Sequence, residues 1–249
     1  MRCLAISLLG AALALAPAAG MAAEESQGSG GSPAAVASPS GTPPVSAAPP
    51  VYQLPKVGKP RGRIGGGRRG PIGAAAELHV LSPEHVGQTA SAQPSLYWYL
   101  AESVAGEVAF ELALIDASSV DPLVDVRLER PASAGIQRVR LADLGVALEP
   151  GQEYQWSIAV VQDPNDHSKD VVASGWIERV PAPEGMQERL GAAGPDGAAA
   201  VYGAAGLWYD TLDAAYERVR VNPESPAYRQ QLAALLEQVG LPADAARRP

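Results

Sequence analysis

Leu148-Glu-Pro-Gly-Gln-Glu-Tyr154-Gln-Trp156 is the stretch on which the fold turns. Pro150 and Gly151 have the backbone preferences of a tight turn. Tyr154, Trp156, Ile158 and Val160 then follow with a period of two, which sets large side chains on one face of a strand. Working outward, short segments rich in Val, Ile, Leu, Tyr and Trp alternate with Pro, Gly, Asp and Ser. The spacing predicts strands over 78–81, 95–100, 108–115, 123–129, 137–141, 154–162 and 171–179. In Val108-Ala-Phe110-Glu-Leu112-Ala-Leu114 the alternation is again one-faced.

That many short strands between residues 77 and 181 is the count of an antiparallel β-sandwich. The opening stretch looks like the loop and strand entry of fibronectin and immunoglobulin-like sandwiches. In those folds a Tyr at the start of a strand returns its hydroxyl to upstream backbone and closes the corner between the sheets. Here Tyr154 is that residue, with Leu148 expected beneath the turn.

After Pro181 and Pro183 the period becomes helical. Asp196 is placed to cap a helix in which Trp208, Leu212, Ala215, Tyr216 and Val219 share a face, ended by Asn222-Pro223. Pro226 opens a second helix with Tyr228, Leu232, Leu235, Leu236 and Val239, stopped by Gly240 and Pro242. The short link predicts an antiparallel helical hairpin within residues 182–249. The fold class is therefore mainly β with α.

The N-terminal third has a different character. Arg2, the apolar run through Leu15 and the small residues 18–23 read as a secretory signal peptide over residues 1–23. Cys3 precedes the apolar run, so cleavage leaves a chain without thiol or disulfide chemistry. Residues 24–76 are dominated by Ala, Pro, Ser and Gly and read as a disordered tether, with Tyr52 and Leu54 its few large apolar side chains. It ends in a basic arm containing Arg61, Arg63, Arg68 and Arg69, a candidate contact for an anionic surface or for the acidic body. From residue 77 onward, 25 acidic residues face 12 basic ones. Such a body lacks the basic footprint of a nucleic-acid binder.

Candidate chemistry is sparse. The loop Asp163-Pro-Asn-Asp166-His167-Ser-Lys-Asp170 concentrates carboxylates and a His. It reads first as a hairpin turn, where Asp-Pro and Asn-Asp are ordinary residues, and second as a calcium or acid–base site. His79, His85 and His167 are dispersed, with no cysteine to join them in a zinc site. In Tyr97-Trp98-Tyr99 one face of the strand must be core, while the other, through Tyr97 and Tyr99, reads first as structural and second as a platform for sugar or peptide. No catalytic residue, metal ligand or cofactor is assigned.

Pro94-Ser-Leu-Tyr-Trp98-Tyr99, Tyr154-Gln-Trp156, Asp163-Pro-Asn-Asp166-His-Ser168, Gly175-Trp176-Ile-Glu-Arg179 and Gly206-Leu-Trp208-Tyr-Asp210 together resemble the secreted, mostly cyanobacterial family called Domain of Unknown Function 928. The resemblance runs from about residue 61 to 241 and implies no particular activity. It also implies cysteines near Ile72 and Gln162 that tie the arm to the sandwich in many members. This chain lacks both. The expected role is an exported, non-enzymatic binding or adaptor module of the periplasm, the cell envelope or the extracellular space. Its expected partner is another envelope protein or a cell-wall polymer, with no transmembrane segment after signal cleavage. The alternatives are a hydrolase or calcium-binding protein using the 163–170 loop, or a passive structural component.

Overall fold

A computed structural model of the chain describes residues 48–55, 62–64, 77–104, 109–119, 121–129, 131 and 133–247. The signal peptide expected at 1–23 and most of the expected tether lie outside them, as do Arg61, Arg68 and Arg69.

Among the described residues, eight strands form two sheets. The smaller contains β1 (Leu78–Val80), β3 (Ser95–Leu100) and β6 (Gly135–Arg140), in the order β1-β3-β6. The larger contains β2 (Gly87–Thr89), β8 (Val171–Arg179), β7 (Glu153–Val161), β4 (Ala109–Asp116) and β5 (Pro122–Leu128), in that order. β7 lies between β4 and β8, as strand F lies between C and G in immunoglobulin-like sandwiches. Its register sets Trp156 opposite Leu114, Ile158 opposite Leu112 and Val160 opposite Phe110, so the two alternating patterns meet on one buried face. β2 escapes sequence reading because Gly-Gln-Thr has no apolar alternation. It joins β8 in parallel, so the larger sheet is mixed rather than wholly antiparallel.

The corner at Tyr154 forms as its sequence predicts. The Tyr154 hydroxyl accepts the Glu149 N–H at 3.0 Å, and Leu148 is fully buried. Gly151, at φ +76°, turns the chain so that its N–H reaches the Arg179 carbonyl at 2.7 Å. Arg179 returns a guanidinium N–H to the Leu148 carbonyl at 2.8 Å. The end of β8 and the entry to β7 are thus locked together.

Among the described residues the C-terminal region holds three helices, α1 (Met186–Ala204), α2 (Trp208–Val221) and α3 (Pro226–Glu237); the expected pair is α2 and α3, and α1 precedes it. Two breaks reset the expected pattern. Gly194 has non-helical angles and Pro195 follows it, so α1 is kinked and restarts there. Asp196 accordingly lies in the first turn of the restarted segment. It accepts the Tyr228 hydroxyl at 2.9 Å and pairs with Arg218 at 3.3 Å. Gly206 takes φ +76°, which ends α1 and lets α2 begin at Trp208 in a new direction. A 3-10 turn at Ala243–Arg247 follows α3. Among the described residues, no helix is long and apolar enough to cross a membrane.

These helices form a third layer. The Tyr97 ring meets that of Tyr216 on α2 at 5.0 Å, and the Tyr99 hydroxyl donates to Asp244 at 3.2 Å. One hydrophobic cluster accordingly contains residues of both sheets and of the helices. At its centre the Trp156 indole N–H donates to the Tyr209 hydroxyl at 2.9 Å. That hydroxyl donates in turn to the Trp176 carbonyl at 2.9 Å and lies 3.2 Å from Ser82 Oγ. The Trp208 N–H donates to the Leu81 carbonyl at 2.9 Å. The helices are therefore hydrogen-bonded into the sandwich as well as packed on it.

Two described stretches within the expected tether are docked on this body. Tyr52 is buried against His85 and Trp208, and Ile64 exchanges both backbone hydrogen bonds with Ser174.

Candidate functional site

In α2 the stripe Trp208, Leu212, Ala215 and Val219 faces the core, which leaves Asp210 and Asp213 on a flank where residues three apart are neighbours. The link between β2 and β3 passes that flank. Together they enclose a cleft of about 250 Å³, whose lining includes Thr89, Ser91, Gln93, Ser95, Tyr202, Asp210 and Asp213.

The two carboxylates have different surroundings. Asp210 Oδ2 accepts the Ala90 N–H at 3.0 Å. Burial pushes the Asp210 carboxyl up to about 6 against the pull of the Ala90 N–H and the Thr89 hydroxyl, and the charge of Asp213 adds to the rise. Asp213 Oδ1 accepts the Tyr97 hydroxyl at 2.5 Å. Tyr97 is held well above the usual phenol range, by burial first and by Asp213 second. The Tyr202 hydroxyl is raised by burial, then by the charges of Asp210 and Asp213. Nearby, Arg138 reaches Glu217 and lies over the Tyr216 ring at 5.6 Å. The cleft is thus rich in oxygen acceptors and hydroxyl donors, and no cationic side chain among the described residues lines it.

The residues singled out from sequence lie elsewhere, apart from one contact. Tyr97 and Tyr99 are 0% and 3% exposed, so they form no open platform. Sequence reading could not see that α2 and the Ala243–Arg247 turn cover this face. Tyr97 still serves the cleft indirectly, by holding Asp213. The 163–170 loop is a turn held by its own hydrogen bonds, save for Asp170 Oδ1, which is buried without a partner among the described residues. Asp163 accepts the Asn165 N–H at 2.9 Å, and Asp166 accepts the Ser168 N–H at 3.2 Å and its hydroxyl at 2.5 Å. His167 contacts Asp170 at 2.8 Å, and Lys169 pairs with Asp166 at 3.0 Å. These bonds hold the Asp166 carboxyl down at about 2 and raise the His167 imidazole. Among the described residues, no group of three or more His, Cys, Asp or Glu side chains is placed to hold a metal ion.

Of the two contacts expected for Arg63, an anionic surface or the acidic body, it makes the second, with Glu84 at 3.8 Å. Its side chain is 11% exposed, and its guanidinium donates to the carbonyls of Ser82 at 2.8 Å and Gly240 at 3.3 Å. It staples the arm to the body instead of offering charge to an anionic surface.

Sequence reasoning quoted Asp210 inside Gly206-Leu-Trp208-Tyr-Asp210 without giving it a role, and it passed over Asp213. The available signal was an acid pair three residues apart at the border of an apolar stripe. Its partners in the 89–95 link are brought up only by tertiary structure.

Among curated proteins, none matches the chain in sequence. A family model described as Domain of Unknown Function (DUF928) matches residues 64–249, which takes in both sheets, the helices and the cleft, and the chain belongs to that family.

Proposed function

We propose that this protein is an exported, non-enzymatic binding module of the cell envelope, and that its cleft holds a hydroxyl-rich ligand, one sugar unit of a cell-wall polymer. The observation that carries the reading is the lining of the cleft. Two carboxylates, the amide of Gln93 and the hydroxyls of Thr89, Ser91, Ser95 and Tyr202 surround about 250 Å³. Sugar hydroxyls both donate and accept, so each has a counterpart there, and carboxylate acceptors make the stronger bonds. With no cation in the lining among the described residues, a phosphate or carboxylate ligand has no countercharge there. The volume lies at the small end of ligand sites, which suits a single ring rather than an extended chain.

A binding role also accords with where the histidines sit. His79 pairs with Glu77, His85 contacts Tyr52 and His167 belongs to the 163–170 turn, so none lines the cleft beside a nucleophile. Export rests on the signal-like pattern of residues 1–23.

Titration calorimetry of the full chain with solubilised cell-wall saccharides tests the ligand class. Binding is expected, weakened about tenfold or more by Asp213→Asn, since a hydrogen bond to a charged group contributes about 1.5–3 kcal/mol. Asparagine retains an acceptor for the Tyr97 hydroxyl, so the fold persists. Unchanged affinity in that variant, or binding of a diamine in place of every saccharide, would overturn the assignment. Recovery from the cytoplasm with residues 1–23 intact would refute export.

A further inference from the structure

A second recognition surface lies where the N-terminal segment crosses the helices. The side-chain amide of Gln238 bonds the backbone of that segment twice, accepting the Tyr52 N–H at 2.8 Å and donating to the Pro50 carbonyl at 2.8 Å. The Gln53 N–H donates to the Gly203 carbonyl at 2.9 Å. The Tyr52 ring stacks on His85 at 5.9 Å and meets Trp208 edge-on at 5.1 Å, with its hydroxyl 2.8 Å from His85 Nε2. Flanking Val51 and Leu54 are 64% and 70% exposed. The body therefore grips backbone plus one aromatic side chain, which is how grooves bind short peptides.

The receptor side is shaped for that approach. A Cβ on Gly203 would lie 2.8 Å from the Val51 carbonyl oxygen, and one on Gly206 would lie 3.2 Å from that of Gln53. Gly203 is inside α1, where glycine costs about 1 kcal/mol relative to alanine, so close approach of the segment is what its small size permits. The groove residues Gly203, Gly206, Trp208 and Gln238, with His85, all fall within the family-matched residues 64–249. The ligand, residues 49–53, falls outside them. Groove and ligand are therefore separable parts.

We propose that this groove is a peptide-docking site for the Pro-Pro-Val-Tyr-Gln segment, occupied in each chain by its own residues 49–53 and exchangeable for the same segment of a second copy. Every copy carries both halves, and the recognition contacts need no covalent continuity. Nine residues, 54–62, separate the segment from the Arg63 anchor, a contour of about 30 Å at full extension, long enough to span to the groove of an adjoining copy. Tethering keeps the intrachain form dominant in dilute solution, and exchange follows when copies are concentrated.

Two full-length variants test the exchange by complementation. Tyr52→Ala empties the groove but leaves it intact. Gly203→Ala blocks the groove but leaves the segment intact, while favouring the helix. Circular dichroism and tryptophan fluorescence confirm that each is folded. A synthetic peptide of residues 48–55 is expected to bind the Tyr52→Ala chain, at least tenfold more weakly when the peptide's own tyrosine is alanine, and not to bind the Gly203→Ala chain. Mixed together, the variants are expected to form a heterodimer by size exclusion with light scattering, while each alone stays monomeric. Absence of peptide binding would overturn the docking site. Peptide binding without a heterodimer would overturn exchange between copies.

Discussion

Tyr209→Phe isolates the polar node that ties the helices to the sandwich. The substitution removes one oxygen, which accepts the Trp156 indole N–H at 2.9 Å and donates to the Trp176 carbonyl at 2.9 Å. Trp156 and Tyr209 are 0% and 1% exposed, so the indole N–H left without its acceptor stays buried. A buried donor left unsatisfied costs about 1–3 kcal/mol, and loss of the tyrosine's own bond adds about 1 kcal/mol. A total of about 2–4 kcal/mol follows. Tyr154→Phe is the matched control, because it too deletes one hydroxyl that accepts one N–H. Its donor belongs to exposed Glu149, where water can take over, and the expected cost is about 0.5–1.5 kcal/mol. Urea unfolding followed by both far-ultraviolet dichroism and tryptophan fluorescence reads the difference as a shift in midpoint at constant slope. Because the helices and both sheets share one core, the two probes should coincide. A Tyr209→Phe cost no larger than that of Tyr154→Phe would refute the claim that this hydroxyl is a sealed structural hub.

Three further expectations follow from the same geometry. A Cβ on Gly175 would stand 2.6 Å from Ser82 Cβ and 2.7 Å from its oxygen, so Gly175→Ala should cost about 1–3 kcal/mol, and adding Ser82→Gly should recover most of it in thermal melts. Asp210 has a folded pKa of about 6, above its unfolded value, so the folded state binds the extra proton and stability falls as pH rises from about 4 to 6. The group's share is about 3 kcal/mol from the shift of roughly two units, and Asp210→Asn should flatten that slope in urea titrations across pH. The raised His167 acts at higher pH, where stability is lost as pH climbs through its folded value, so the two contributions are separable. Asp166→Ala should abolish hydrogen-exchange protection of the Ser168 amide while leaving saccharide binding unchanged. Loss of binding in that variant would return the 163–170 loop to consideration as a site.

The parts of this molecule that sequence reveals are those held by local rules. Alternation in β4 and β7 and the Pro-Gly turn before Tyr154 act over a few residues, and the structure follows them nearly to the residue. The 163–170 turn is legible for the same reason, since its carboxylates bond N–H groups two positions onward. Docking of the N-terminal segment is not legible. One tyrosine in a Pro- and Ala-rich stretch cannot announce a groove assembled from Gly203, Trp208 and Gln238. Arg63 shows the same limit. Its basic neighbours suggest a solvated arm, but three backbone carbonyls, of Ser82, Val239 and Gly240, converge on its guanidinium only once the chain has folded.

Burial of Tyr97 and Tyr99, which removes the platform alternative, has a different origin, because its signal is present in the sequence. Leu96-Tyr-Trp-Tyr-Leu100 is an unbroken run of large apolar and aromatic residues, the pattern of a strand buried on both faces. In a two-layer sandwich, each sheet shows one face to solvent, as the alternation of β4 shows for the larger sheet. The run in β3 is incompatible with that arrangement and calls for a third layer over the smaller sheet. Apolar stripes in the C-terminal third are the material from which such a layer can be made. The same packing creates the cleft, because a helix laid against the end of β3 brings its Asp210 and Asp213 flank up to the 89–95 link. Burial of the aromatic run and formation of the polar cleft are therefore one event. A variant that loosens α2 from β3, such as Tyr97→Leu, should weaken saccharide binding in proportion to its loss of stability, whereas Asp213→Asn should weaken binding alone.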